Sequence, residues 1–419
     1  MPYPAFLTRL RSDRSGSILT FTGIGFVTLI GAAGLAVDTA QWYLWKRQLQ
    51  QAVDAGARAG ALSMLQAEGA EPGARKEIGR NTDNTLNVLI ERVSSPPYSG
   101  AYTGDTGAVE VIATTSQRLP FSSVFLDVAP TIRARAVATR TDEGEYCVIA
   151  LAPTGMGVRA VGTADVNLGC GVGANSGIQA AIDLTGTSWI NAPTFHAVGG
   201  IDASSRNIPE DAVLQPYGLP IQDPLAGRDL QVPSEPEGCT STKYSNNPHD
   251  VVTLSPGRYC NGMTLKGNTT LSPGTYIIDG GSLDVASSAT VRGDGVTFVL
   301  TGGGPGNAAF VKITGGATME LTAPSAAQSP TWKNVLFFQD PLGSSSESNF
   351  AGGSELDLTG VIYMPNGDVR FTGNSGQSAE CLLLIANHVT FAGTSSLNNN
   401  CTVDYANLDL SAPVVKVVE

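Results

Sequence analysis

The chain has 419 residues with 25 basic and 37 acidic side chains, a formal charge of −12 at pH 7, which argues against a general nucleic-acid binder. Only 15% of residues are charged while 49 are Gly and 24 are Pro, so turns are frequent; the 42% hydrophobic content still suffices for a core and excludes wholesale disorder. Residues 1–98 carry 10 basic and 8 acidic side chains, a balance of +2, and the remainder carries 15 and 29, a balance of −14. The large acidic part repels anionic polymers and lipid headgroups, and the two parts suit different surroundings.

The first element is residues 18–37, ILTFTGIGFVTLIGAAGLAV, twenty residues without a charge. At about 1.5 Å rise per residue this spans a hydrocarbon layer of roughly 30 Å, so a single transmembrane helix is expected. A cleaved secretory signal would have a shorter apolar stretch followed by small-x-small, whereas Asp38 and Gln41 follow here. Arg9, Arg11 and Arg14 precede the span, which places residues 1–17 in the cytoplasm and everything beyond residue 37 outside the inner membrane, as a single-pass protein with a periplasmic or surface-exposed C-terminal part. Gly23, Gly31, Ala32, Gly34 and Ala36 form small-residue faces that let helices approach closely, the expected contact with other membrane proteins. Trp42, Tyr43 and Trp45 supply an interfacial belt, and Leu49, Val53 and Leu62 extend an apolar stripe, so one helix is expected over residues 17–66.

Residues 14–62 read RSGSILTFTGIGFVTLIGAAGLAVDTAQWYLWKRQLQQAVDAGARAGAL. In order, Gly16, Gly34, Val37, Asp38, Leu49, Gln50, Ala52, Asp54, Ala55, Ala59, Gly60 and Ala61 resemble the N-terminal signature of TadE/TadG-like proteins of the tight-adherence (Flp) pilus system. Gly56 and Arg58 depart from the usual small or apolar choice. Processed pilins of this kind carry Glu five residues beyond the cleaved Gly, where this chain has Phe21, so the resemblance does not extend to cleavage and leaves a retained anchor open. It also implies other pilus or pilus-assembly membrane proteins as partners, and a small α+β module beside the membrane.

For that module, residues 68–141, the pattern predicts a second amphipathic helix over residues 71–93 with Ile78, Leu86, Val88, Leu89 and Ile90 as its apolar face. Strands over residues 108–115 and 130–139 follow, with Leu119, Phe121, Val124 and Phe125 between them to cover the sheet. All six cysteines, Cys147, Cys170, Cys239, Cys260, Cys381 and Cys401, lie beyond the span, where an oxidising compartment lets them pair. Fifteen connectivities exist, but successive gaps of 23, 21 and 20 residues favour sequential pairs across neighbouring coils of a solenoid, because strands stack about 4.8 Å apart. TLSPGRYC at residues 253–260 recurs as TLSPGTYI at 270–277, an internal repeat. Short Val/Ile/Leu/Phe/Thr runs broken by Gly, Asn or Asp continue from residue 289 to 397. The expected fold is mainly β: a right-handed parallel β-helix behind the membrane helix and the α+β module, with first coils in residues 142–206, a Pro-rich excursion in 207–250 that is a loop or a strap, and the rest of the β-solenoid in 251–410.

Solenoids of this kind host glycan-cleaving enzymes, which makes Asp279, Asp284, Asp294, Glu320, Asp357 and Asp368 the candidate carboxylates. A glycosidase needs two such groups about 5 to 9 Å apart, and spacing alone does not align any pair. His196, His249 and His388 lack metal-ligand spacing, Asp202-Ala-Ser-Ser-Arg206 lacks the last Ser of a divalent-ion motif, and no phosphate-binding loop occurs, so no catalytic, cofactor or metal residue is assigned. The expected function is a non-enzymatic envelope protein of pilus biogenesis, a minor pilin or a tip or assembly protein, whose disulfide-stapled solenoid makes surface or protein contacts. The competing expectation is a membrane-tethered β-helix that cleaves glycans, or binds them through Trp189, Trp332 or Tyr363.

Overall fold

The structure is a computed structural model that describes residues 16–65, 68–82, 86–228, 230–234, 236–302, 307–343, 347–351, 355–373, 376–379, 381–394, 396–399 and 408–419. It divides into two compact units, residues 1–141 with 415–419, and residues 142–414.

The first unit begins with helix α1, Gly16–Leu65, which exposes apolar side chains from Phe21 to Val37 and in its C-terminal half buries Leu49, Ala52, Val53, Ala57 and Ala61. Helix α2, Ala70–Thr82, packs on it through Ala74 and Ile78. The expected helix over residues 71–93 is thus two elements. Thr82 turns its hydroxyl back to the Ile78 carbonyl at 3.0 Å as α2 ends, and strand β1, Val88–Ser94, takes over where β-branched Val88, Ile90 and Val93 replace helix formers. Strand β2, Ala108–Ser116, pairs antiparallel with β1 and with β3, Thr131–Glu143. The C-terminal strand Ala412–Val417 joins beside β3, and the Val137 amide donates to the Glu419 carbonyl at 2.7 Å. Between β2 and β3, Leu119 is buried, but Val124, the last residue of a short 3-10 turn Ser122–Val124, and Phe125 after it are exposed rather than covering the sheet.

The second unit is a parallel β-helix with three strands per coil, each stacking on its own ladder. One ladder runs through Ser241–Ser245, Gly257–Leu265, Gly274–Asp279, Val296–Thr301, Val335–Gln339, Glu355–Met364 and Leu382–Ala386. It then continues, against chain order, through Tyr146–Ala150, Gly171–Ala174, Thr194–Ala197 and Val213–Gln215. The other two ladders cross the same seam, where Val389–Gly393 meets Val158–Gly162 and Ser396–Asn399 meets Asp165–Leu168. The coils that come first in sequence therefore stack on the last ones. The chain enters the solenoid in its middle, coils to one end, and restarts at the other end after the Pro-rich segment.

That segment is a strap along the first ladder. Ile221 exchanges hydrogen bonds with the Asn175 side chain at 2.8 Å in both directions, and Tyr363 donates to Asp223 at 2.8 Å. Arg228 reaches the Lys333 carbonyl at 3.3 Å, and Arg258 donates to the Pro233 and Pro236 carbonyls at 2.8 and 3.3 Å. Because the strap covers the outside of this ladder, strands such as Tyr146–Ala150, Val296–Thr301, Val335–Gln339 and Leu382–Ala386 are buried throughout, while Ser282–Val285 and Thr318–Thr322 on the other ladders alternate buried with more accessible positions. Inside, Tyr244, Tyr259, Tyr276, Phe298, Phe337, Phe350, Phe371 and Phe391 form one column with ring centroids 5.0 to 6.1 Å apart. The repeated Ser-Pro-Gly-x-Tyr builds its start: the Tyr259 hydroxyl donates to the Ser255 carbonyl at 2.8 Å and that of Tyr276 to the Ser272 carbonyl at 2.9 Å, equivalent bonds one coil apart.

Candidate functional site

Among the described residues, α1 is the one helix long and apolar enough to cross a membrane. Phe21, Ile24, Phe26, Val27, Leu29, Ile30, Leu35 and Val37 are exposed along its first half, where 6% of the most apolar stretch is buried by the chain itself. A side chain added at Gly23 or Gly31 would meet nothing within 4 Å, and Ala32 and Ala36, one turn apart, are exposed, so these small-residue positions are open. Gly34 is different. A Cβ there would sit 2.4 Å from the Phe121 ring, so the missing side chain is what lets Phe121 lie on the helix.

One turn further, Asp38 closes the contact. It is 3% exposed, and its carboxylate accepts from the Phe121 amide at 2.9 Å and from both the amide and the hydroxyl of Ser122. A carboxylate beside an apolar span is costly when unpaired, and here three donors from a single turn occupy it. The Ser122 turn was not foreseen from the sequence, since a side-chain-held 3-10 turn leaves no periodic signal.

The other signature residues fasten the second half of α1. Gln50 donates to Asp54 at 2.7 Å and to the Arg135 carbonyl of β3 at 3.0 Å, and Leu49 is fully buried. Asp54 and Ala55 line a cleft of about 500 Å³ with Arg58, Leu62, Glu77 and Val417. Gly56, a departure from the family pattern, lies under Ile78 of α2, whose Cγ1 would be 2.5 Å from an added Cβ, so the close helix crossing requires it. Gly16 is the first residue of α1.

In the solenoid, disulfides Cys147–Cys170 and Cys239–Cys260 each join neighbouring coils with Cα atoms 5.7 Å apart. Cys381 is disulfide-bonded as well, and Cys401 lies outside the described residues. Of the candidate carboxylates, Asp279 pairs with Arg258 at 2.8 Å, Asp284 accepts from Ser282 at 2.9 Å, and Asp368 faces His388 at 2.8 Å. Glu320 and Asp357 stand in register on adjacent coils and, with Asp294, Arg292 and Thr270, line an open cleft of about 580 Å³. Arg292 grips Glu320 with two hydrogen bonds at 2.8 and 2.9 Å and holds its carboxyl below the usual carboxylate range, the opposite of the raised value that a general acid needs. His196 is buried with Nε2 donating to the Leu219 carbonyl of the strap at 2.6 Å, and His249 is exposed. Among the described residues no His/Cys/Asp/Glu group has the arrangement of a metal site. Trp332 packs edge-on against Phe338 and Tyr363 is buried against the strap, so neither is a surface platform; Trp189 is half-buried.

Residues 16–63 match the family model described as putative Flp pilus-assembly TadE/G-like. The matched stretch is nearly the whole of α1, so the family signal rests on the helix that carries the open apolar face, the Asp38 clamp and the Gln50–Asp54 contact. No curated protein and no solved structure matches the chain.

Proposed function

We propose that this protein is a non-enzymatic, membrane-anchored component of Flp pilus biogenesis, a minor pilin or a tip or assembly protein. In this reading the small-residue positions of α1, Gly23 and Gly31 on one side and Ala32 and Ala36 on another, pack against other pilus-system helices in the inner membrane, and the solenoid makes contacts beyond it. The observation that carries it is the TadE/G-like match over residues 16–63 on a helix whose first half is left open by the rest of its own unit. The two described sequential disulfides, with Cys381 also disulfide-bonded, would fit a compartment outside the cytoplasm, in agreement with the positive residues that precede the span.

The test is a photo-crosslinking residue at Ala32 in the native host, combined with mass mapping of envelope and sheared fibres. Crosslinks to pilus or pilus-assembly proteins are expected; recovery in sheared fibres identifies a fibre component, and recovery in the envelope alone identifies an assembly factor. Normal piliation in a deletion strain together with no crosslinked pilus-system protein would overturn the proposal. Glycan-degrading activity that disappears in Glu320→Gln/Asp357→Asn would overturn its non-enzymatic part.

A further inference from the structure

The segment between β2 and β3 carries four large apolar side chains that nothing in its unit covers: Val124 is 75%, Phe125 73%, Leu126 51% and Val128 81% exposed. The charged residues between 117 and 130 are Arg118 and Asp127, which cancel. Contiguous exposed apolar surface of this kind marks a binding face rather than ordinary surface. Its position on α1 identifies what binds. Phe121 lies on Gly34 and Ser122 on Asp38, while exposed apolar side chains of α1 run from Phe21 past this level to Tyr43 and Leu44. The turn is therefore fixed to the helix at the C-terminal end of the apolar span, Phe121 one turn inside it on Gly34 and Ser122 on Asp38 just past it, and the occupied Asp38 carboxylate presents no bare charge at that level.

We propose that the loop of residues 121–128 is a second membrane-contact element, inserted into the leaflet on the C-terminal side of the span, with Val124, Phe125, Leu126 and Val128 among the lipid headgroups and upper acyl chains. This rests on α1 crossing the membrane and goes beyond any role in the pilus. The loop works as a collar: a single helix is free to tilt and rotate, and a rigidly clamped apolar loop beside it sets one rotation of the first unit against the bilayer. Because the loop has no net charge, its insertion is driven by apolar burial and is insensitive to salt.

The full chain in nanodiscs of phosphatidylethanolamine and phosphatidylglycerol tests this, with an environment-sensitive fluorophore on Phe125→Cys or, as a reference inside the span, Phe26→Cys. The unsubstituted protein, labelled under the same non-reducing conditions, gives the background. Both labels are expected to shift to shorter wavelength and to lose emission to lipids carrying a doxyl quencher high on the acyl chain, equally at low and high salt. Quenching at Phe26 with an unshifted, unquenched label at Phe125 overturns the loop insertion alone. Absence of quenching at both positions overturns the membrane span and the loop together.

Discussion

An acidic side chain one residue past an apolar span is tolerated only where donors meet it, and Asp38 meets three from Phe121 and Ser122. Asp38→Ala leaves those amides without an acceptor, so hydrogen exchange at residues 121–128 is expected to accelerate sharply while the buried β2 amides stay protected; unchanged exchange would show that Phe121 on Gly34 suffices by itself. Ser122 stands 84 residues from Asp38 in sequence, which explains why the signature aspartate was legible and its partner was not. A second buried carboxylate offers a pH test. Burial pushes Glu110 up, but hydrogen bonds from Arg135 at 2.7 Å, from Ser99 at 2.9 Å and from the Tyr98 amide outweigh it and hold the group below its ordinary value. The Arg135 hydrogen bond likewise lowers Glu419, aided by the Ala101 amide. Both folded-state values lie below the unfolded ones, so this stabilisation is complete above the unfolded carboxylate range near pH 4.5 and is lost as pH falls through the lowered folded values. Thermal unfolding of the first unit followed across this range is expected to show a steeper acid decline in the native protein than in Glu110→Gln; parallel declines would remove Glu110 from the account.

At the scale of elements, the period of the apolar residues decided what could be read. Twenty uncharged residues and the stripe through Leu49 and Val53 mark α1 plainly, and alternating Val and Thr mark the inner strands of the solenoid. Residues 86–93 misled because a short run of Leu, Val, Leu and Ile satisfies both periods, and antiparallel pairing with β2, unseen from local sequence, chooses the strand. The runs VTFVLT, VLFFQ and LLLIA, in which apolar residues do not alternate with charged ones, mark the ladder covered on both sides, by the core within and the strap without. Gaps of 23 and 21 residues between cysteines are those of the two described coil-to-coil disulfides, since a coil of three short strands and three turns takes about that length. The aromatic column is the most demanding packing element. Phe337 stacks on Phe298 at 5.3 Å and meets Phe350 edge-on at 6.1 Å with no exposure, so Phe337→Ala is expected to cost about 3–5 kcal/mol of solenoid stability by denaturant titration. A loss below about 1 kcal/mol, the scale of one ring pair, would mean that the neighbouring rings close the gap.

For the solenoid as a whole, the decisive feature is that its middle is a seam between segments far apart in sequence. Leu384, Ile385 and Ala386 pair with Val148, Ile149 and Ala150, so each half supplies the strand that covers the other's open edge. Exposed parallel edges are aggregation-prone, and pairing the last coil with the first requires long-range loop closure. The strap makes this possible. Eleven strands of the first ladder, counted among the described residues, stack over roughly 50 Å at about 4.8 Å each, and residues 216–240 reach at most about 80 Å when extended, which is enough to return from one end to the other while binding Asn175, Tyr363 and Arg258 on the way. Covalent continuity through the strap is then a folding aid rather than what holds the finished solenoid together, because three parallel ladders and the continuous core bridge the seam. This predicts the fate of a nicked protein. With a protease site inserted after Gly227, an exposed strap position where no neighbour lies within 4 Å of an added side chain, the folded chain is cleaved into two pieces, which a non-reducing denaturing gel verifies are not covalently joined. With residues 412–419 deleted, so that their strand no longer ties the second piece to β3, the pieces are expected to co-elute on size exclusion in native buffer and to part only in denaturant, with one unfolding transition for the solenoid. If they separate without denaturant, the seam is weaker than the strap, and the solenoid is two stacks held together by their tether.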